Sequence, residues 1–108
     1  DWKTGNMKFP NVFKWNETGP TGGAWSEGVY AGMDNVFRPF FENVIEYRLQ
    51  IFNRWGALIY ESHELSKGWD GYFGNGNLAP QGVYVWIATG RYADGEYFDM
   101  VGDVTFLH

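Results

Sequence analysis

Tyr47-Arg48-Leu49-Gln50-Ile51-Phe52-Asn53-Arg54-Trp55-Gly56-Ala57-Leu58-Ile59-Tyr60 is the stretch whose reading decides the fold. Side chains along a strand alternate between its faces, so Tyr47, Leu49 and Ile51 fall on one side, with Arg48 and Gln50 on the other. That is the pattern of a half-buried antiparallel strand. Asn53-Arg54-Trp55-Gly56 then breaks it, and Ala57 resumes apolar character, which predicts a hairpin turn with Gly56 at positive φ.

The same grammar extends in both directions. Fifteen Gly and four Pro separate short runs rich in Val, Ile, Phe, Tyr and Trp, the signature of strands joined by turns. Strands are expected near Lys8–Lys14, Asn35–Pro39, Ile45–Asn53, Ala57–Ser62, Gly82–Arg91, Glu96–Val101 and Asp103–Leu107. Asp94-Gly95, inside Tyr92-Ala93-Asp94-Gly95, marks a second hairpin. Gly102 interrupts an otherwise continuous run, and glycine within a strand commonly marks a bulge, so the last strand is expected to bend there and switch sheets. Asp103–His108 then reads as an edge or closing strand. Seven short strands with almost no helix favour an all-β sandwich.

The chain has 108 residues, the usual length of one domain, and is read as a single unit over residues 1–108. Aromatic residues make up 20 % of it, including six Trp and seven Tyr, and rings of this size supply a core without cystine or metal. There is no cysteine, hence no disulfide framework. The chain opens on Asp1 without a charged-then-apolar leader, which points to a piece of a longer precursor. No run approaches the ~18 apolar residues of a spanning helix, so membrane insertion of its own is not expected. A net charge of −5 with scattered Lys and Arg opposes a polyphosphate, which argues against nucleic acid.

Signals for chemistry are weak. Nucleophilic catalysis needs a base within reach of a Ser or Cys; His63 and His108 are the only imidazoles, and Ser26, Ser62 and Ser66 lie in no Gly-x-Ser-x-Gly setting. Glu42 with Glu46 and Asp94 with Glu96 read as solvated acids flanking strands rather than a glycosidase pair. Glu17, Glu27, Asp34 and Asn35 cluster around a long Gly-rich loop between Trp15 and Met33. Calcium favours such oxygens, but Asx turns account for the same residues, and no metal or other cofactor is assigned. The expectation is a protein that is not an enzyme. Trp55 and Trp69 stand beside turn glycines, where a ring can cap the open end of a sandwich. Trp15 and Trp25, in the long loop, are the candidates for contact with a partner.

Three segments in order carry a specific likeness: Phe52-Asn53-Arg54-Trp55-Gly56, Gly68-Trp69-Asp70-Gly71, and Ala79-Pro80-Gln81-Gly82-Val83-Tyr84-Val85-Trp86. Together with Phe9-Pro10-Asn11-Val12-Phe13, Asp34-Asn35-Val36-Phe37 and Gly102-Asp103-Val104-Thr105-Phe106-Leu107, they resemble the type B C-terminal sorting domain of the type IX secretion system, the gliding-motility-associated family. The stretch Lys14–Met33 departs from the family's short Thr-Pro-Asn-Gly-Asp-Gly-like turn. The resemblance implies an immunoglobulin-like antiparallel sandwich on a Bacteroidetes surface protein, exported through the periplasm and across the outer membrane. It also implies a non-catalytic address label, working with the type IX translocon and a PorP/SprF-type outer-membrane β-barrel protein that retains the cargo at the surface. Phe52, Asn53, Arg54, Trp55, Gly56, Trp69, Asp70, Gly71, Gly82 and Tyr84 are the motif residues, read first as turn formers and ring caps. A carbohydrate- or peptide-binding module of a surface protein is the alternative.

Overall fold

The computed structural model describes residues 5–14 and 36–108. Trp15 and Trp25 lie outside the described residues, as do Glu17, Ser26, Glu27, Asp34 and Asn35.

Every regular element among the described residues is a strand: β1 (Asn6–Lys8), β2 (Val12–Lys14), β3 (Phe40–Glu42), β4 (Val44–Phe52), β5 (Leu58–Ser62), β6 (Gly82–Tyr92) and β7 (Tyr97–Leu107). They form a two-stranded sheet, β1-β3, and a five-stranded sheet ordered β2-β7-β6-β4-β5. The result is the expected all-β sandwich of seven strands. No helix among the described residues is long and apolar enough to cross a membrane.

The alternation in β4 is real. Tyr47, Leu49 and Ile51 are buried, whereas Arg48 is exposed and Gln50 half-buried. On β6, Tyr84, Trp86 and Ala88 turn inward, and on β7 Phe98, Val104 and Phe106 do the same. Met7 from β1 and Phe13 from β2 join this cluster, so the small sheet closes over the inner face of the large one. The core is ring against ring: Phe13 stacks on Phe106 with centroids 4.7 Å apart, and Trp69 meets Tyr84 edge-on at 4.9 Å. Such offset and edge-on contacts match the quadrupoles of aromatic faces and edges.

Four features differ from the sequence expectations. The run Lys8–Lys14 is two strands in different sheets. Pro10 offers no N–H to a ladder, so pairing stops around it; β1 runs antiparallel to β3, while β2 runs parallel to β7. Of the expected strand Asn35–Pro39, the described residues Val36–Pro39 hold an isolated bridge from Phe37 to Trp69, and β3 starts after Pro39. Glu96–Val101 and Asp103–Leu107 are one continuous strand that stays in one sheet. Gly102 sits opposite Trp86 in the β6–β7 ladder, and a Cβ there would come within 2.7 Å of the indole, so the glycine makes room for a ring rather than a bend. Finally, β7 is not an edge. It lies between β2 and β6.

Candidate functional site

The hairpin joining β4 to β5 is built by Asn53. Its backbone N–H donates to the Ala57 carbonyl at 3.0 Å, and its carbonyl accepts from Gly56 N–H at 3.0 Å. Its side-chain Oδ1 accepts two further bonds, from Trp55 N–H and Ala57 N–H, each at 3.0 Å. A short amide that can fold back on its own turn is what asparagine supplies here. Gly56 takes φ of 85°, a region that glycine enters without strain.

This turn leaves Trp55 outside. The ring is 77 % exposed, which corrects the expectation of a ring capping the sandwich: it stands at the rim of a groove it shares with Tyr84 and Ile59 and is not packed into the core. The Arg54 guanidinium lies over the indole at 4.5 Å from its centroid, a cation–π arrangement.

The second motif turn points the other way. Trp69 is fully buried, its N–H and carbonyl bridged to Phe37 at 2.9 and 2.7 Å, its indole N–H donating to the Tyr72 carbonyl at 3.2 Å. Asp70 is also buried, and its carboxylate accepts from Tyr72 N–H at 3.0 Å. Gly71 has φ of 85°, and a side chain there would enter the Phe106 ring. Tyr60 donates its hydroxyl to the Gly68 carbonyl at 3.0 Å. Burial, aided by the nearby Asp70 and Glu64 carboxylates, raises its phenol above the ordinary range despite a Ser62 hydrogen bond that pulls the other way.

The third segment enters β6 through Gly82, at φ of 152°. Two residues on, Tyr84 turns inward and donates its hydroxyl back to the Pro80 carbonyl at 2.6 Å, a tyrosine tie across a strand entry. Burial pushes this phenol up as well.

The first and third segments meet at one end of the sandwich. Between them lies a groove of about 370 Å³, with Asn53, Arg54 and Trp55 on one wall and Pro80, Gln81 and Tyr84 on the other. Ile59, Phe73 and Val83 complete it. Trp69, Asp70 and Gly71 do not reach it. Asp70 instead borders a second hollow of about 270 Å³ beside Tyr60 and Tyr72. Sequence reading missed Ile59, Phe73, Pro80, Gln81 and Val83 as site residues. Pro80, Gln81 and Val83 stand inside a quoted motif and could have been found there; Phe73 gives no signal beyond being apolar in a Gly-rich loop.

A further feature adjoins the groove. Val83, Val85 and Ile87 share the outer face of β6, with Phe52 beside Val85 and Val101 beside Ile87. Val83 is 54 % exposed and Val101 70 %. Outward positions on a one-sided sheet are usually polar, so this exposed apolar band departs from the usual pattern. Its signal was the unbroken apolar run Val83–Ile87, in which alternation is lost.

Several of the groups weighed for chemistry have ordinary partners. Glu46 pairs with Arg91 at 3.2 Å, and Asp94 accepts from Glu96 N–H at 2.9 Å to close the β6–β7 turn. His63 stands 3.6 Å from Glu61 on the surface, and the His108 ring meets the Ala79 carbonyl at 2.9 Å. Among the described residues, no group of three or more His, Cys, Asp or Glu side chains is placed to hold a metal ion.

Fold and site together define a small β-sandwich with an aromatic groove at one end and an apolar sheet face running into it. The chain matches the family model described as the CHU_C type IX secretion signal domain over residues 7–101 and belongs to that family. Its role is therefore that of a type IX secretion signal, acting with the secretion machinery in export to the cell surface. No curated protein matches the chain. Among solved structures, CopC from Methylosinus trichosporium OB3b aligns at 18 % identity and a TM-score of 0.49, covering 68 % of this chain and 78 % of that one; a likeness of this size supports no conclusion.

Proposed function

We propose that this chain is a non-catalytic sorting and anchoring domain carried by a longer protein, recognised and retained at the surface by a PorP/SprF-type outer-membrane β-barrel protein. The observation that carries the reading is the exposed Trp55. An indole held in water by a well-bonded turn adds nothing to the core, whereas in an interface it buries on the order of 150 to 250 Å². The apolar band from Val83 to Val101 extends the same surface. Among the described residues, the groove lining brings together no cluster of titratable groups.

The test is a passenger protein fused ahead of the domain in a host with a type IX system. Protease added to intact cells should remove the passenger, and the domain used as bait in outer-membrane extract should retain an integral β-barrel protein. A passenger that stays protected, with the domain folded in the periplasm, would reject the sorting role in favour of a plain binding module. Removing Asp103–His108 serves as the unfolded control, because it takes Val104 and Phe106 out of the core and strips β2 of its neighbour.

A further inference from the structure

The groove differs in charge from the rest of the molecule. The chain carries a net charge of −5, yet among the described residues no carboxylate lines the groove, and the one cationic lining residue is Arg54. Arg48, Lys67 and Arg91 are each paired with a glutamate. Arg54 makes no such pair among the described residues. Its guanidinium rests on the Trp55 ring, which holds the planar fork in place while leaving its N–H groups for a ligand. An oriented, unpaired guanidinium at the rim of an apolar trough is complementary to a carboxylate attached to apolar groups.

Polypeptide fits this better than sugar. Recognition of a glycan relies on many directed hydrogen bonds to hydroxyls, and the side-chain amide oxygens of the groove are already engaged as acceptors. Both lone pairs of the Asn53 side-chain oxygen are taken by Trp55 and Ala57 N–H groups, and the Gln81 oxygen accepts from His108 N–H at 3.0 Å. One face of the indole is covered by Arg54. Ile59, by contrast, brings β5 to the groove, and among the described residues β5 is the edge of the five-stranded sheet, with a row of backbone groups facing away from β4.

We propose that the groove and the adjoining β5 edge take an extended acidic segment of the secretion partner. The segment lies along β5 as an added strand, sets an apolar side chain against Trp55 and Tyr84, and pairs a Glu or Asp carboxylate with Arg54. Main-chain bonds would supply affinity and the two side-chain contacts selectivity, as in other strand-addition complexes. This rests on the sorting reading above only for the identity of the partner.

The probes are capped octapeptides with an aromatic or leucine anchor beside a Glu, the same peptides with Gln in its place, backbone N-methylated versions, and oligogalacturonate as an anionic glycan. Binding to the full chain is read from the Trp55 indole NMR signal and a titration. The Glu peptides should bind, and Gln replacement or Arg54→Glu should each weaken them roughly tenfold or more; Arg54→Lys should recover part of the loss. The unfolding midpoint of Arg54→Glu should stay at that of the parent chain. N-methylation on the strand-pairing side should abolish binding. Equal binding of Glu and Gln peptides, indifference to Arg54→Glu, tolerance of N-methylation, or a Trp55 response to the glycan alone would each overturn the proposal. Capture of an outer-membrane protein that survives Arg54→Glu would also reject the groove while sparing the partner, whereas peptide binding without capture would reject the partner and keep the groove.

Discussion

Asn53–Gly56 and Gly68–Gly71 look alike on paper: each sets a tryptophan beside an Asx side chain or a glycine that closes a turn. Both turns use the same local chemistry, an Asn or Asp side chain accepting backbone N–H bonds and a glycine at φ of 85°. Yet Trp55 is 77 % exposed and Trp69 is fully buried. Turn chemistry sets the path of the backbone, and what lies beyond the turn sets the fate of the ring. Trp69 is bridged to Phe37 and surrounded by Phe13, Tyr84 and Phe106, whereas Trp55 sits at a hairpin apex with a guanidinium for company.

The contrast can be broken most violently at Trp69. Trp69→Ala removes the largest fully buried side chain and should cost about 3 to 5 kcal/mol; chemical denaturation checks this, and a loss below about 1 kcal/mol would mean that the ring is not in the core. Next comes Gly71→Ala, which adds a Cβ both at positive φ and into the Phe106 ring. Strain and overpacking together should cost about 2 to 4 kcal/mol. Gly56→Ala isolates the first of these terms, since nothing lies within 4 Å of its Cβ position. A loss of about 1 kcal/mol is expected, and a value equal to that of Gly71→Ala would show that Phe106 yields freely. Smallest of all, Trp55→Ala should change stability by no more than about 0.5 kcal/mol. Its effect should appear instead in capture of the outer-membrane partner. A denaturation midpoint shifted as far as that of Trp69→Ala would place Trp55 in the core after all.

Local signals in the sequence proved the most legible. Asp94-Gly95 marks the β6–β7 turn: Gly95 has φ of 94°, and the Tyr92 N–H reaches the Glu96 carbonyl at 2.8 Å. Asn53 and Gly56 mark the other hairpin, and the inward set Tyr47, Leu49 and Ile51 follows from period two alone. Long-range partners were not legible. Nothing in Val12-Phe13-Lys14 says that it pairs in parallel with Thr105-Phe106-Leu107, because a three-residue strand carries too little pattern to name its neighbour. Gly102 shows the same limit, since a glycine that admits a ring and one that permits a bend are one letter in the chain; only the register opposite Trp86 separates them. At the groove, the quoted motifs contain the hairpin and β6-entry residues that line it, but nothing in them says that Phe73 and Ile59 join across it.

The place of β7 in the sheet has a consequence in time. Phe13 meets Phe106 across roughly ninety intervening residues, a separation that puts the β2–β7 pair among the slow, non-local events of folding. The strand made last is the second in the sheet order, and β2, made early, has no sheet to join until β7 exists. A ribosome delivers this chain in one order and the sheet accepts it in another, so β2 must wait for its described partner until the residues between Lys14 and Thr105 have been made.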